Sequence, residues 1–149
     1  MRSHTRFLIA MSLLCVTVPG CLGEPSRYAV TGTVTMNGAP APYVVVRFHP
    51  ADPKSLAGGA GRTDEAGKFT IGQSGKNTGF PAGEYKITFS QTLVKGKPTL
   101  AGSGGKESEK DPTEKEAVAD DYLVTQKTPV TATVGSGTND FTFDIKGNK

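Results

Sequence analysis

The sequence predicts an all-β domain, an antiparallel β-sandwich, on three observations. Apolar residues alternate with polar ones at period two in short runs. Clusters of Gly, Pro, Asn and Asp separate the runs. No stretch of useful length repeats its apolar residues at the 3.6-residue period that an amphipathic helix needs. Composition agrees: the 149 residues include 19 Gly, 10 Pro, no Trp and 36% hydrophobic residues, which suits one turn-rich β domain. The formal charge is +3. Arg2 and Arg6 lie in the first 20 residues, which hold no acid, so the remainder carries 15 basic against 14 acidic side chains. That balance argues for no nucleic-acid partner, because binding a polyanion calls for basic residues clustered on one face.

The elements follow in order. In the first run Tyr28, Val30, Val34 and Met36 alternate with Ala29, Thr31, Thr33 and Thr35, setting an apolar face against a threonine row. Gly32 interrupts the apolar face and reads as a bulge. Asn37-Gly38 follows, a dipeptide that takes the positive φ values of a tight hairpin turn. In the second run Val44, Val46 and Phe48 share the inner face and Tyr43, Val45, Arg47 and His49 the outer, until Pro50 and Pro53 end it. A loop from Ala51 to Gly59 leads to two short strands around a polar turn closed by Gly67, with Phe69 and Ile71 inward. Pro81-Ala82-Gly83 launches the cleanest alternation, Tyr85, Ile87 and Phe89 inside against Lys86, Thr88 and Ser90 outside.

From Lys95 to Glu116 the pattern gives way to Gly, Ser, Pro and ten charges whose signs cancel, and the segment reads as a flexible, solvated insertion. Order resumes near Tyr122. Val130, Ala132 and Val134 then pair with Phe141, Phe143 and Ile145 across Gly135-Ser136-Gly137 as a closing hairpin. About seven strands at this spacing describe a sandwich. About fifteen inward apolar side chains, at roughly 1.5–3 kcal/mol each, make a core plausible without disulfides.

The N-terminus carries different chemistry. Met1 to Arg6 holds two arginines and no acid, and the twelve residues Phe7 to Val18 are apolar and uncharged, the layout of a signal peptide over residues 1–20. A helix of that run spans about 18 Å, short of the ~30 Å core that a stable transmembrane helix crosses. The run ends in Val18-Pro19-Gly20-Cys21. This resembles a lipobox, the bacterial motif in which a small residue precedes the cysteine that is diacylated and becomes the new N-terminus; Pro19 stands where Ala or Ser is usual. The chemistry needs cysteine because its thiolate is the nucleophile that accepts the lipid.

The resemblance implies Val18, Pro19 and Gly20 as the signal peptidase recognition residues and Cys21 as the lipidation site. Residues 21–27 would be a lipidated tether, and the lipid bilayer a partner through acylated Cys21. Leu22 in place of Asp implies transfer to the outer membrane, facing the periplasm or the cell surface. Cys15 would be discarded, leaving the exported chain no cysteine pair to bridge.

Gly32-Thr33-Val34, then Asn37-Gly38-Ala39-Pro40, then Val44-Val45-Val46-Arg47-Phe48 followed by Pro50 resemble the carboxypeptidase regulatory-like, or transthyretin-like, domain. Thr63-Asp64-Glu65-Ala66-Gly67-Lys68-Phe69 and Pro81-Ala82-Gly83-Glu84-Tyr85 are similar to that family's middle turn and strand entry. The likeness covers residues 28–146, interrupted by the insertion at 95–116. It implies a seven-stranded Greek-key sandwich and a non-catalytic accessory role.

Enzymes of the same general fold hydrolyse 5-hydroxyisourate with histidines, an arginine and a C-terminal Tyr-Arg-Gly-Ser. This chain ends in Lys146-Gly147-Asn148-Lys149, and its two histidines reduce to His49 once the signal is removed. No Gly-x-Ser-x-Gly elbow is present. His49, beside Arg47 on the polar face, reads as a solvated surface histidine. Asp52, Asp64, Glu65, Asp120 and Asp121 match no calcium loop and read as turn caps. Gly102-Ser103-Gly104-Gly105-Lys106 lacks the strand that precedes a phosphate loop and reads as linker.

The expectation is therefore a membrane-anchored, non-catalytic lipoprotein of the cell envelope, acting as a binding or structural module with no catalytic residue, metal or cofactor. Its further partner would be an envelope protein or polysaccharide. The alternatives are a carbohydrate- or peptide-binding accessory to a separate envelope enzyme and, behind it, a transthyretin-like hydrolase.

Overall fold

The computed structural model describes residues 25–52, 54–55, 58–100 and 112–148, and the protein over that range is all-β. In chain order the strands are β1 (Arg27–Tyr28), β2 (Val30–Met36), β3 (Ala39–Pro40), β4 (Val45–Pro50), β5 (Gly59–Arg62), β6 (Lys68–Ile71) and β7 (Phe80–Pro81). They continue with β8 (Gly83–Ser90), β9 (Thr92–Val94), β10 (Lys97–Pro98), β11 (Lys115–Glu116), β12 (Thr131–Val134) and β13 (Asp140–Ile145), with one 3-10 turn at Asp120–Tyr122. One main sheet is antiparallel, in the order β12-β8-β4-β5. The other is built on β2, which pairs with β13, β3 and β6.

The alternation read along the chain buries what it should. Val30, Val34, Val44, Val46, Phe48, Phe69, Tyr85, Ile87 and Phe89 are each at most 3% exposed. Phe48 joins the two sheets: its ring lies 6.4 Å from Phe69 on β6 and 6.4 Å from Phe141 on β13. Phe89 of β8 meets Phe143 of β13 edge-on at 5.4 Å. Tilted and edge-to-face rings at these separations add to the apolar burial that holds two sheets face to face. The Asn37-Gly38 turn has φ of 54° and 81° and sets Met36 opposite Ala39.

Several expectations are corrected. The closing segment is not a hairpin. β12 pairs with β8, whereas β13 crosses to the other sheet and lies parallel to β2, Phe143 opposite Val34, so the sandwich is mixed and not wholly antiparallel. The reason is geometric. In one hairpin the two inward rows would share one sheet face; split between sheets, they pack against each other.

Gly32 is not a bulge but stays in register between Phe141 and Phe69. A β-carbon there would sit 2.3 Å from the Phe141 carbonyl oxygen and 2.8 Å from the Phe69 ring, so glycine is what allows that ring to lie against the strand. Thr88, placed on the polar face by alternation, is 3% exposed.

The expected flexible insertion over 95–116 is corrected at both ends. Lys95 and Gly96, with φ of 52° and 74°, turn β9 back onto β10, and β11 adds to the other edge of β9. Glu116 accepts the N–H groups of Gln91 at 2.8 Å and Val118 at 2.9 Å. Val118 is fully buried, so order resumes before Tyr122. This small sheet covers no large apolar face, which is why hydrophobic periodicity carried no sign of it. Residues 101–111, the middle of the insertion, lie outside the described residues.

Candidate functional site

Val18, Pro19, Gly20 and Cys21 lie outside the described residues. What the structure places is the point where the chain enters the sandwich, and that point forms one wall of an open polar cleft of about 710 Å³. The walls are Ser26–Ala29, the 72–79 loop between β6 and β7, and the 135–139 crossover between β12 and β13.

Two asparagines clamp these walls together. The Asn77 side-chain oxygen accepts the Arg27 backbone N–H at 2.6 Å. Asn139, 6% exposed, donates from Nδ2 to the carbonyls of Ala29, Gly135 and Gly137 and accepts the Gly135 N–H at 2.8 Å. A buried amide that meets its own donors and acceptors in this way stabilises one loop conformation, since leaving those groups unpaired costs about 1–3 kcal/mol. The 72–79 loop is closed by Gln73 N–H donating to Thr78 Oγ1 at 2.8 Å. Gly79, with φ of 108°, lets the Tyr28 backbone approach: an added β-carbon would stand 2.2 Å from its carbonyl oxygen.

Among the described residues that line the cleft, the charged side chains are Arg27 and Lys76. Arg27 also donates to the Gly79 carbonyl at 3.3 Å, which ties its guanidinium to the 72–79 loop. Thr31, another lining residue, donates its hydroxyl to the Asp140 carboxylate at 3.0 Å. Tyr28 adds the one aromatic side of the lining.

The remaining sequence candidates are dispersed. His49 is not a solvated surface histidine: it is half-buried on β4, with Nε2 hydrogen-bonded to Thr88 Oγ1 at 2.8 Å. Burial first, and the positive charge of Arg47 second, push its pKa below the usual 6.5. Asp64 caps its turn, taking the N–H groups of Ala66 and Lys68 at 2.9 Å each, and Asp52 takes the Lys54 N–H at 2.9 Å. Among the described residues no three His, Cys, Asp or Glu side chains are grouped to hold a metal ion. Also among the described residues, no helix is long and apolar enough to cross a membrane.

Sequence reasoning missed the cleft residues. Arg27, Lys76, Asn77 and Asn139 sit in different segments, and nothing in period-two patterning brings them together. The available signals were the run Gly72-Gln73-Ser74-Gly75-Lys76-Asn77-Thr78-Gly79, too glycine-rich for an ordinary hairpin, and the asparagine just past Gly135-Ser136-Gly137.

No protein-family model matches the chain, and no curated protein matches it. A solved structure similar to it is the major pilin subunit of Bacillus cereus, at 16% sequence identity and a TM-score of 0.48 over 84% of this chain. The match spans 31% of the pilin's own length. A likeness at that score assigns neither family nor function to this chain.

Proposed function

We propose that this protein is an exported, lipid-anchored, non-catalytic module of a bacterial cell envelope that presents the cleft at its tether end to a binding partner. The observation that carries this reading is the uncharged run Phe7 to Val18 that stops at Val18-Pro19-Gly20-Cys21. Two or more acyl chains on one cysteine, at about 0.8 kcal/mol per buried methylene, hold a soluble domain on a bilayer without any other hydrophobic feature.

Six residues lead from Cys21 to Arg27. At ~3.6 Å per residue at most, the cleft end of the sandwich stays within roughly 20 Å of the lipid attachment. β8 runs away from that end, from Gly83 beside the 135–139 crossover to Ser90 beside the small sheet. The tether therefore joins the domain at its cleft end, and the β9–β11 sheet lies toward the other end of β8. Leu22 after the cysteine supports placement on the outer membrane. The Asn37-Gly38 hairpin turn and the Asp64-capped turn before β6 support a carboxypeptidase regulatory-like domain, a seven-stranded Greek-key sandwich.

Mass spectrometry of the mature N-terminus tests the anchor. The expected species begins at an acylated Cys21; an unmodified N-terminus elsewhere, or a cytosolic protein that keeps Met1, overturns it. Cys21→Ala is expected to move the protein out of the membrane fraction. The hydroxyl and amide lining of the cleft also favours a second reading, an accessory that holds a glycan or peptide for a separate envelope enzyme; reproducible co-purification with one hydrolase would distinguish it.

A further inference from the structure

We propose that the outer edge of β13 takes up an extended segment of a partner polypeptide as an added strand, and that this segment carries basic side chains four residues apart. The proposal goes beyond the reading above and rests neither on the lipid anchor nor on the cleft.

Register supplies the edge. Thr31 N–H donates to the Asn139 carbonyl at 2.8 Å and Asn37 N–H to the Ile145 carbonyl at 2.9 Å. Alternate residues of a strand bond to the same neighbour, so Phe141 and Phe143 also turn their backbone groups toward β2. The N–H and C=O groups of Asp140, Thr142 and Asp144 therefore face the other way, and they have no partner among the described residues. The side chains of all three are exposed. A few residues on, the chain already uses this edge itself: Ala119 N–H donates to the Lys146 carbonyl at 3.0 Å and Asn148 N–H to the Ala117 carbonyl at 2.7 Å, an antiparallel pairing about Val118 and Gly147. The chain then turns off at Asp120–Tyr122 and leaves the rest of the edge open.

The other edges are less suited. Where β5 meets β6 the sandwich is closed, since a β-carbon on Gly61 would stand 2.6 Å from the Ile71 side chain. β12 turns only Thr131 and Thr133 outward and follows Pro129, which has no N–H to give. Beside β13, Phe141 points inward yet stays half-buried, so an apolar side chain on an added strand would complete its cover. Backbone pairing along an edge, with alternate side chains making the selective contacts, is how an extended peptide joins a sheet.

Charge decides the occupant. Asp140 and Asp144 stand on the outer face of this edge, and their bonds are to the hydroxyls of Thr31 and Thr35 and the N–H of Gly38, with no cation paired to either among the described residues. Side chains directly opposite across a ladder come within about 4.5–5.5 Å, where like charges repel. A second copy pairing antiparallel about Thr142 would set Asp140 of one against Asp144 of the other, which opposes self-association. A strand with lysine or arginine at the two outer positions meets both carboxylates.

The test is a titration of the mature, detergent-solubilised protein with the terminally blocked peptide Lys-Val-Thr-Val-Lys, read by amide chemical shifts and hydrogen exchange. That sequence reads alike in both directions, so either strand orientation is covered. Saturable shifts at residues 140–144 are expected, with slowed exchange of the Thr142 amide. Glu-Val-Thr-Val-Glu should bind about five-fold more weakly. Asp140→Lys should reverse that preference, and Glu84→Gln, an exposed acid on the other sheet, should leave it unchanged. Absence of saturable shifts, shifts confined to β12, equal affinity for the two peptides, the same loss in Glu84→Gln, or a dimer whose Thr142 amide is protected without peptide overturns the proposal. An unmodified N-terminus or a cleft without a ligand would leave this titration standing, so the failures are distinct.

Discussion

The outward faces of the two main sheets alternate alike along the chain but are held differently. On the sheet built on β2, hydroxyls and carboxylates are tied across the parallel pair: Thr31 donates to Asp140 at 3.0 Å and Thr35 to Asp144 at 2.7 Å, and the same Asp144 oxygen takes the Gly38 N–H at 3.1 Å. On the sheet built on β8, Arg47 and Lys86 have no ion-pair partner among the described residues, and the cross-strand tie is the His49–Thr88 hydrogen bond. The difference follows from the ladders. β13 joins β2 from 109 residues away, in a parallel pairing that is slightly weaker per residue. Side-chain bonds on its outer face mark the register. β8 is central and antiparallel, and its buried row of Tyr85, Ile87 and Phe89 already makes a one-residue slip prohibitive.

The largest way to break the comparison is to remove what the sheets share. Phe48→Ala takes away a ring that packs against Phe69, Phe80, Tyr85 and Phe141. It should cost about 3–5 kcal/mol in urea unfolding, with both sheets lost in one transition. A loss below about 1 kcal/mol would mean that the sheets do not depend on a common core.

Gly32→Ala should cost about 2–3 kcal/mol by overpacking, because the new methyl meets the Phe141 carbonyl and the Phe69 ring. Its damage should be one-sided: amide hydrogen exchange should speed up in β13 before β12, and equal acceleration in both would contradict the separate pairing of the two strands. Asn139→Ala should cost about 1–2 kcal/mol and shift the amides of residues 26–29 along with those of 135–138, since one side chain holds both segments.

Two smaller effects sharpen the contrast through pH. The hydroxyl of Thr35, then the N–H of Gly38, hold the Asp144 carboxyl below the usual 3.8. A carboxylate with a depressed folded-state pKa stabilises above its unfolded value and loses that contribution as pH falls through the folded one. Wild type should therefore exceed Asp144→Asn in stability at neutral pH, and the gap should close below about pH 4. A gap unchanged at pH 2 would show that the carboxylate plays no part in the tie.

His49 shifts stability in the same direction on the other face, but in a higher pH window. Its folded-state pKa is lowered, so stability rises as pH climbs through the window below the unfolded value of 6.5 and is lost on acidification through it. NMR titration should place its midpoint below that of an unfolded histidine, and Arg47→Gln should move it part of the way back. No movement would leave burial as the whole cause.

Much of the buried set was legible in the sequence. Period two placed Val30, Val34, Val44, Val46, Phe48, Tyr85, Ile87, Phe89, Ala132, Val134, Phe143 and Ile145 inward, and all are buried. Asn37-Gly38 announced its turn because few dipeptides tolerate two successive positive φ values. His49 and Thr88 were misjudged because alternation says which way a side chain leaves its strand and not what lies above it. Glu116 and Val118 were missed because a sheet that covers no large apolar face leaves no periodic trace.

By itself, then, the sequence determined the β class of the domain, the identity of its inner rows, its tight turns and the uncharged run from Phe7 to Val18 ahead of Cys21. Tertiary structure alone decided that β12 and β13 belong to different sheets, that β13 runs parallel to β2, and that a cleft opens where the chain enters. The physical reason is separation along the chain. Alternation is set by neighbours two residues apart, whereas the cleft is closed by hydrogen bonds between residues 50 and 110 positions apart. Contacts of that kind exist only once both sheets have met over their common core.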